Sequence, residues 1–367
     1  MFEDAAPGSN LYAVVGPMAE DFVPPVGLMH VRDMGDFRGL LAKEPEWDGL
    51  VVHGLPFDVA KPMLDDLPAT LAVAWYVWGF EAYTAWPRLG RHLLMPETRR
   101  LVRRARPAWK RWAPRRSALA DPFGREARKV VGRYDYCVCQ FREEFDLFVE
   151  TGLVSTTRYQ RGSVGSFEDV VDTGDSSDVG DDIQLGNSAS ATNNHADALA
   201  FLSRPEFRAH RVVVPLGYGD GRYRLEVASA GQTLLGDRFV PMMGFLPLAQ
   251  YLSIMASCGH VVMNHLRPQA LGNIYAALWR GASVYMNETA IFRGLRNSGF
   301  TVRSIERDLL SDSNRRMRPE SQSRVTSNRS LLFERLGREV VAAQAADLLD
   351  RLSSCRREGT SGGLARR

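Results

Sequence analysis

The chain has 367 residues, of which 45% are hydrophobic and 24% charged, and its net charge is +3. At roughly 100–200 residues per domain this suffices for two domains with cores of their own, and it excludes a mostly disordered chain. Its 32 glycines and 19 prolines, without a repeating period, exclude a fibrous one. Cys137, Cys139, Cys258 and Cys355 are too few for a disulfide framework and lack zinc-pair spacing, which implies a reducing compartment. The opening MFEDAAPGSN has neither the basic nor the apolar region of a signal peptide, so none is expected.

The first half alternates short apolar runs with helical ones. Residues 11–16, 26–31, 49–55, 70–79 and 134–141 read as strands, several of them β-branched and closed by glycine, as buried parallel strands are. Between the fourth and fifth lies Arg99–Arg116, with nine basic residues and no acidic one. Trp109 and Trp112 are three apart there and share a helix face. Gly162–Asp182 is rich in Gly, Ser and Asp, lacks Lys and Arg, and reads as a solvated linker.

The second half is more regular. DIQLGNS, RVVVPLGYG, RFVPMM, HVVMNH, SVYMN and FTVRSI read as strands separated by helical segments. That alternation argues a parallel sheet with helices on both faces. Phe239–Leu266 carries no Asp, Glu, Lys or Arg, but its prolines and glycines break it into a buried strand, helix and strand rather than a membrane span. A last helix is expected over Asn328–Ser353, followed by a disordered end.

Ligands of open parallel sheets bind at the carboxyl ends of the strands. Gly186–His195, GNSASATNNH, pairs small residues with a helix start at Asn193 or Asn194, a pattern that suits a phosphate. A Ser/Asn-rich turn with a helix cap gives the same pattern. Gly186, Asn187, Ser188, Ser190, Asn194 and His195 are its candidates. GYGDG offers Gly217 and Tyr218, although a tight turn explains it equally well. NHLRPQALGN offers Asn264, Arg267, Gln269, Gly272 and Asn273 around a helix whose first turn would hold Pro268, where an arginine can clamp a diphosphate. Glu288 closes the next strand and can accept ribose hydroxyls. In the first half, His53 and Glu81 end strands and can deprotonate a hydroxyl. A structural hydrogen-bonded role serves a lone histidine as well.

The basic segment has three readings. An anionic membrane surface comes first, with Arg103, Arg104, Lys110 and Arg111 each contributing about 1 kcal/mol and Trp109 and Trp112 at headgroup depth. A solvated face comes second. Nucleic acid comes last, because no stacking sheet or recognition helix accompanies it.

Taken together, LVVHGL, AWYVWGFEAY, the basic stretch, LGNSASATNNHADAL, RVVVPLGYGD, LPLAQYLSIMASCGHVVM, RPQALGNI and VYMNE resemble the bacterial TDP-N-acetylfucosamine:lipid II N-acetylfucosaminyltransferases, the 4-alpha-L-fucosyltransferase family. They occur in the family's order over about residues 49–305. The resemblance implies a GT-B glycosyltransferase, two Rossmann-like α/β domains facing across a cleft, with a C-terminal helix. Residues 1–160 would hold the acceptor, 161–182 would be the acidic linker, and 183–310 would bind the nucleotide-sugar. Residues 311–353 would be helical and 354–367 a disordered tail.

The implied donor is TDP-linked. The implied acceptor is a polyprenyl-diphosphate-linked saccharide at the inner face of the cytoplasmic membrane, and no cofactor or bound metal is expected. Gly186, Asn187, Ser188, His195, Arg267, Gln269, Gly272 and Glu288 would line the donor site. His53, Trp78, Gly79, Glu81 and Tyr83 would face the acceptor. Glu81 stands where the family pattern W-G-x-D-x-Y has Asp, and Tyr76 where some members have His. A GT-B transferase with another donor and a soluble acceptor, or a non-catalytic nucleotide-sugar-binding partner, fits the same residues.

Overall fold

The computed structural model describes residues 1–16, 27–43, 47–105, 124–171, 179–311 and 317–361. They form two compact units. The first comprises Met1–Pro87, Asp121–Gly165 and Arg338–Arg367, the second Arg88–Ala120 and Ser166–Gly337.

In the first unit, β1 (Tyr12–Val15) and β2 (Leu28–Val31) pair in parallel as a sheet of their own. β3 (Gly49–His53), β4 (Ala72–Tyr76), β5 (Tyr136–Cys139) and β6 (Arg158–Arg161) form a second parallel sheet in that order. The expected apolar runs are its central strands, since every residue of β4 and β5 is buried. β6, with the sequence RYQR, has no apolar run to announce it. An edge strand needs only backbone pairing on one side, and Gln160 alone of its residues is buried.

The second unit holds β7 (Ile183–Leu185), β8 (Val212–Pro215), β9 (Phe239–Met242), β10 (His260–Met263), β11 (Ser283–Met286) and β12 (Arg303–Ser304). All are parallel, in the order β12-β11-β10-β7-β8-β9. The order reverses between β7 and β10, the kind of position at which open parallel sheets bind ligands. The core below it packs Ile183, Leu185, Leu199, Val212, Val214 and Val262.

Three expectations are corrected. The last helix is two, Gln322–Leu336 and Arg338–Ser361, with Gly337 between them. The first buries Val325, Leu332 and Leu336 in the second unit, whereas the second lays Ala345, Leu348 and Leu352 on Ala72, Ala74 and Tyr136 of the first. It continues to Ser361, past the expected end at Ser353, and residues 362–367 lie outside the described residues.

The acidic stretch is packed near both ends rather than solvated throughout. Phe167, its one aromatic residue, is buried against Trp279 and Phe333, and Gly180 and Asp182 hydrogen-bond to residues 256–257. Its middle, 172–178, lies outside the described residues. The helix after β10 starts at Leu271, so Pro268 precedes it instead of opening its first turn.

Candidate functional site

Three loops leave the carboxyl ends of β7, β8 and β10, and one chain of side-chain hydrogen bonds joins them. Ser190 Oγ lies 2.9 Å from Thr192 Oγ1, which donates to Gln269 Oε1 at 2.6 Å. Gln269 Nε2 donates to Asn187 Oδ1 at 3.0 Å, and Asn187 Nδ2 donates to the Tyr218 hydroxyl at 2.8 Å. Each amide uses its donor on one side and its acceptor on the other, so the chain has a single direction. Gly219 is left-handed at φ 114°, and a Cβ there would lie 2.7 Å from the Ala189 carbonyl oxygen. The second and first loops therefore touch backbone to backbone.

Beside this network opens a pocket of about 190 Å³. Asn187, Gly217, Tyr218, Phe245, Tyr251 and Asn273 are among its walls. Its floor is polar and fixed, because the Tyr251 hydroxyl donates to Asn273 Oδ1 at 2.5 Å and Gln184 Nε2 lies 3.4 Å from that hydroxyl. Burial raises the Tyr251 pKa, so the phenol stays protonated. Its lip is apolar, since Phe245 is 79% exposed and Leu248 is also exposed. The stretch expected to be wholly buried is therefore not. Its second strand, β10, is internal, but β9 is a half-buried edge strand, and the loop and helix Leu248–Met255 contribute to the pocket's rim. An uncharged helix at a surface was the signal sequence reading missed.

The remaining donor-site candidates divide. Gly186, at φ 67°, has His195 Nε2 3.0 Å from where a Cβ would stand. Ser188 is buried and accepts from Asn193 Nδ2. Asn194 staples the chain from inside, with Oδ1 accepting from Met95 N–H at 2.8 Å and Nδ2 donating to Leu93 and Asn264 carbonyls. His195 is fully buried with Nδ1 3.1 Å from the Tyr223 hydroxyl, and burial pushes its pKa down to about 3. Both residues are internal and outside the pocket wall.

Asn264 is also internal and accepts from Asn287 Nδ2. Arg267 is half-buried and donates to the Pro268 carbonyl at 2.8 Å. Gly272 lies near Val170, and Glu288 is ion-paired with Arg307 at 2.5 Å.

In the first unit, His53 lies at the carboxyl end of β3, stacked on Tyr76 at 4.5 Å and edged by Phe2. This shielding lowers its pKa, while the residue stays open to solvent. Gly79 is left-handed at φ 92° and begins the helix Phe80–Ala85. Glu81 in that first turn is 2% exposed. Its Oε1 accepts from Trp75 Nε1 at 2.9 Å and from Trp78 N–H at 2.8 Å, and Oε2 is buried with no hydrogen-bond partner among the described residues. Burial raises its pKa against the pull of those hydrogen bonds. The carboxyl points inward and orders the turn that presents Trp78, which is 53% exposed. Tyr83 is buried, its ring edge-on to Phe148.

Helix Pro96–Ala105 carries Arg103 and Arg104, both exposed, and buries Leu101 in the second unit's core. Asp197 accepts from the N–H groups of Glu97 and Thr98, capping the helix from outside its own sequence. Trp109, Lys110, Arg111 and Trp112 lie outside the described residues. Among the described residues no helix is long and apolar enough to cross a membrane.

Comparison with known proteins gives the fold as that of the GT-B glycosyltransferases, and together with a family match over part of the chain it supports a nucleotide-sugar-dependent glycosyltransferase. The chain is similar to sucrose-phosphate synthase from Thermosynechococcus elongatus, with 13% identity over 87% of this chain and 77% of that one and a TM-score of 0.57. A glycosyltransferase from Rickettsia africae gives 8% over 89% and 85%, with a TM-score of 0.54. An alpha,alpha-trehalose-phosphate synthase from Burkholderia xenovorans gives 9% over 88% and 79%, with a TM-score of 0.51. More particularly, residues 168–316 match the 4-alpha-L-fucosyltransferases, glycosyl transferase group 56. No curated protein sequence matches the chain significantly.

Proposed function

We propose that the chain transfers a 4-acetamido-4,6-dideoxygalactose-type sugar from a TDP-sugar to a polyprenyl-diphosphate-linked saccharide in cell-envelope polysaccharide synthesis. The observation that carries this reading is the extent of the family match. Residues 168–316 take in all three loops of the hydrogen-bonded network and the whole pocket.

The nucleoside would enter the pocket, with its base against the Phe245 and Tyr218 side and its polar edge toward Asn273 and Tyr251. The diphosphate would lie over Gly186–Ser190 and the start of helix Leu271–Arg280. There the helix dipole and Arg267 offset the charge that develops on the leaving group. An acceptor hydroxyl then attacks the anomeric carbon and loses its proton. Of the two base candidates His53 is exposed at a strand end, though shielding by Tyr76 and Phe2 lowers its pKa, whereas Glu81 would first have to leave its hydrogen bonds. The reaction takes no bound cofactor on this reading. Arg103 and Arg104 would hold the enzyme to the anionic inner face of the cell membrane.

The test is a thermal-shift series with TDP, UDP, GDP, CMP and NAD at equal concentration. A ligand that binds only the folded state raises the transition in proportion to its affinity. The expected result is the largest shift with TDP, reduced in Arg267→Ala. A larger shift with UDP or GDP would discard the proposed donor. Sedimentation with anionic vesicles at low and moderate salt separates the lipid-linked acceptor from a soluble one.

A further inference from the structure

We propose that Asp181, His210 and His260 form a site for one divalent ion of the zinc class, at the end of the second unit's sheet opposite the nucleotide pocket. The three residues are 29 and 50 positions apart in sequence, and the topology gathers them. β10, β7 and β8 are adjacent, with His260 in register with Ile183 and Ile183 in register with Val212. Residues just before β7 and β8 therefore meet the first residue of β10. A ligand atom from each of the three lies within 4.8 Å of the others.

The cluster is held before any ion arrives. Asp181 lies against both rings, with Oδ1 3.3 Å from His260 Nε2 and Oδ2 3.3 Å from His210 Nδ1; that His210 nitrogen also hydrogen-bonds to the Asp181 carbonyl oxygen at 2.6 Å, a bond an ion at Nδ1 would replace. Ligands about 2.0–2.1 Å from a tetrahedral ion stand roughly 3.3 Å apart, the separation Asp181 Oδ1 and His260 Nε2 already have, whereas His210 has to exchange its carbonyl hydrogen bond for the ion. The backbone under Asp181 is fixed on both sides. Gly180 N–H donates to the Ala256 carbonyl and Asp182 N–H to the Ser257 carbonyl, both at 3.0 Å. A Cβ on Gly180 would stand 2.3 Å from the Ser257 oxygen, and one on Gly259 would stand 2.2 Å from the Gly180 oxygen. Both positions exclude side chains so that these segments can touch. Asp182 is engaged by Arg211 at 2.6 Å and leaves the cluster to Asp181.

His260 is 2% exposed and turns Nε2 toward Asp181, while its Nδ1, on the far side of the ring, has no hydrogen-bond partner among the described residues. Among the described residues, the polar partner of this buried ring is the Asp181 carboxylate, whose own side chain is 77% exposed. The Asp181 side of the cluster is open to water, which can complete the coordination. Two imidazole nitrogens and one carboxylate oxygen suit zinc, cobalt or nickel. Magnesium and calcium prefer oxygen ligands alone. Bound there, the ion would pin the end of the Gly162–Asp182 stretch to β8 and β10, and it would take no part in sugar transfer.

The full chain, stripped with EDTA and free of nucleotide at pH 7.5, is dialysed against Zn²⁺, Co²⁺ and Mg²⁺. The expected result is one Zn²⁺ or Co²⁺ retained per chain, a raised melting temperature, and a visible Co²⁺ absorption band. Asp181→Asn, at an exposed side chain, and His210→Gln should each weaken retention at least about tenfold and abolish the thermal shift. Failure of the unaltered chain to retain Zn²⁺, equal retention by both variants, or preference for Mg²⁺ overturns the assignment. The donor-site reading is tested by nucleotide binding and stands or falls separately.

Discussion

Gln269 donates a 3.0 Å hydrogen bond to Asn187, tying the loop after β10 to the loop after β7 at the point where the strand order reverses. Neither residue can be replaced without leaving the other's polar atom unpaired. Gln269→Ala should therefore weaken TDP binding by about 1–2 kcal/mol, roughly five- to thirtyfold, through loosened loops. Calorimetric titration reads this directly. Unchanged affinity would mean that the network does not position the donor.

Gly54 sits at φ 51° under the Trp78 indole, and a Cβ there would lie 2.7 Å from Trp78 Cγ. Gly54→Ala should cost about 1–3 kcal/mol from overpacking and backbone strain. That corresponds to a fall of roughly 2–4 °C in melting temperature per kcal/mol for a unit of this size. Adding Trp78→Ala should recover part of the loss, because it removes the clash and leaves only the strain. No recovery would show that the contact is not the cause.

Burial raises the pKa of Glu81 above its ordinary 4.5. The folded chain then binds this proton more tightly than the unfolded one. Its contribution to stability is whole below about pH 4.5 and is lost as pH rises through the folded value. Glu81→Gln keeps an oxygen for Trp75 and Trp78 and removes the titration. Urea unfolding at several pH values should therefore give a variant whose stability falls less between pH 4.5 and 8. Transfer activity separates the roles, since an ordering residue survives this change and a base does not.

His195 and His265 are buried, with pKa values pushed down to about 3 and about 4. Unfolding lets both take a proton near the ordinary 6.5. Their contribution is present above that value and is lost as pH falls toward the folded pKa. Stability of the second unit should drop from pH 6.5 to 5, by at most about 1.4 kcal/mol per pH unit for each ring. His195→Gln should flatten that slope. A slope unchanged by the substitution would place the acid sensitivity elsewhere.

Much of this architecture is legible before any coordinates. Apolar runs such as AVAWY and HVVM announce central strands because both sheet faces are covered, and the polar loops that follow β7, β8 and β10 fall where parallel sheets bind ligands. RYQR is missed because pairing at an edge leaves no hydrophobic trace.

Side-chain direction is missed too. Glu81 and His195 look like cleft residues in sequence, yet one serves Trp75 and the other Tyr223. Nothing local distinguishes a carboxylate that faces a ligand from one that faces an indole. The pocket's rim escapes for a related reason, because an uncharged run such as Leu248–Met255 reads as core whether or not anything covers it. Asp181, His210 and His260 escape any spacing rule, since it is strand order that brings them together.

Gly337 also sets an order of events during synthesis. The strands of the first unit leave the ribosome early, but the helix that covers Ala72, Ala74 and Tyr136 begins at Arg338. Until that helix emerges, this face of the earliest-made sheet lacks the cover it has in the finished fold. The second unit, whose residues end at Gly337, can close before it. The half of the protein made first is therefore completed last, and a ribosome that stalls before Arg338 leaves an unfinished sheet exposed for chaperones and proteases to find.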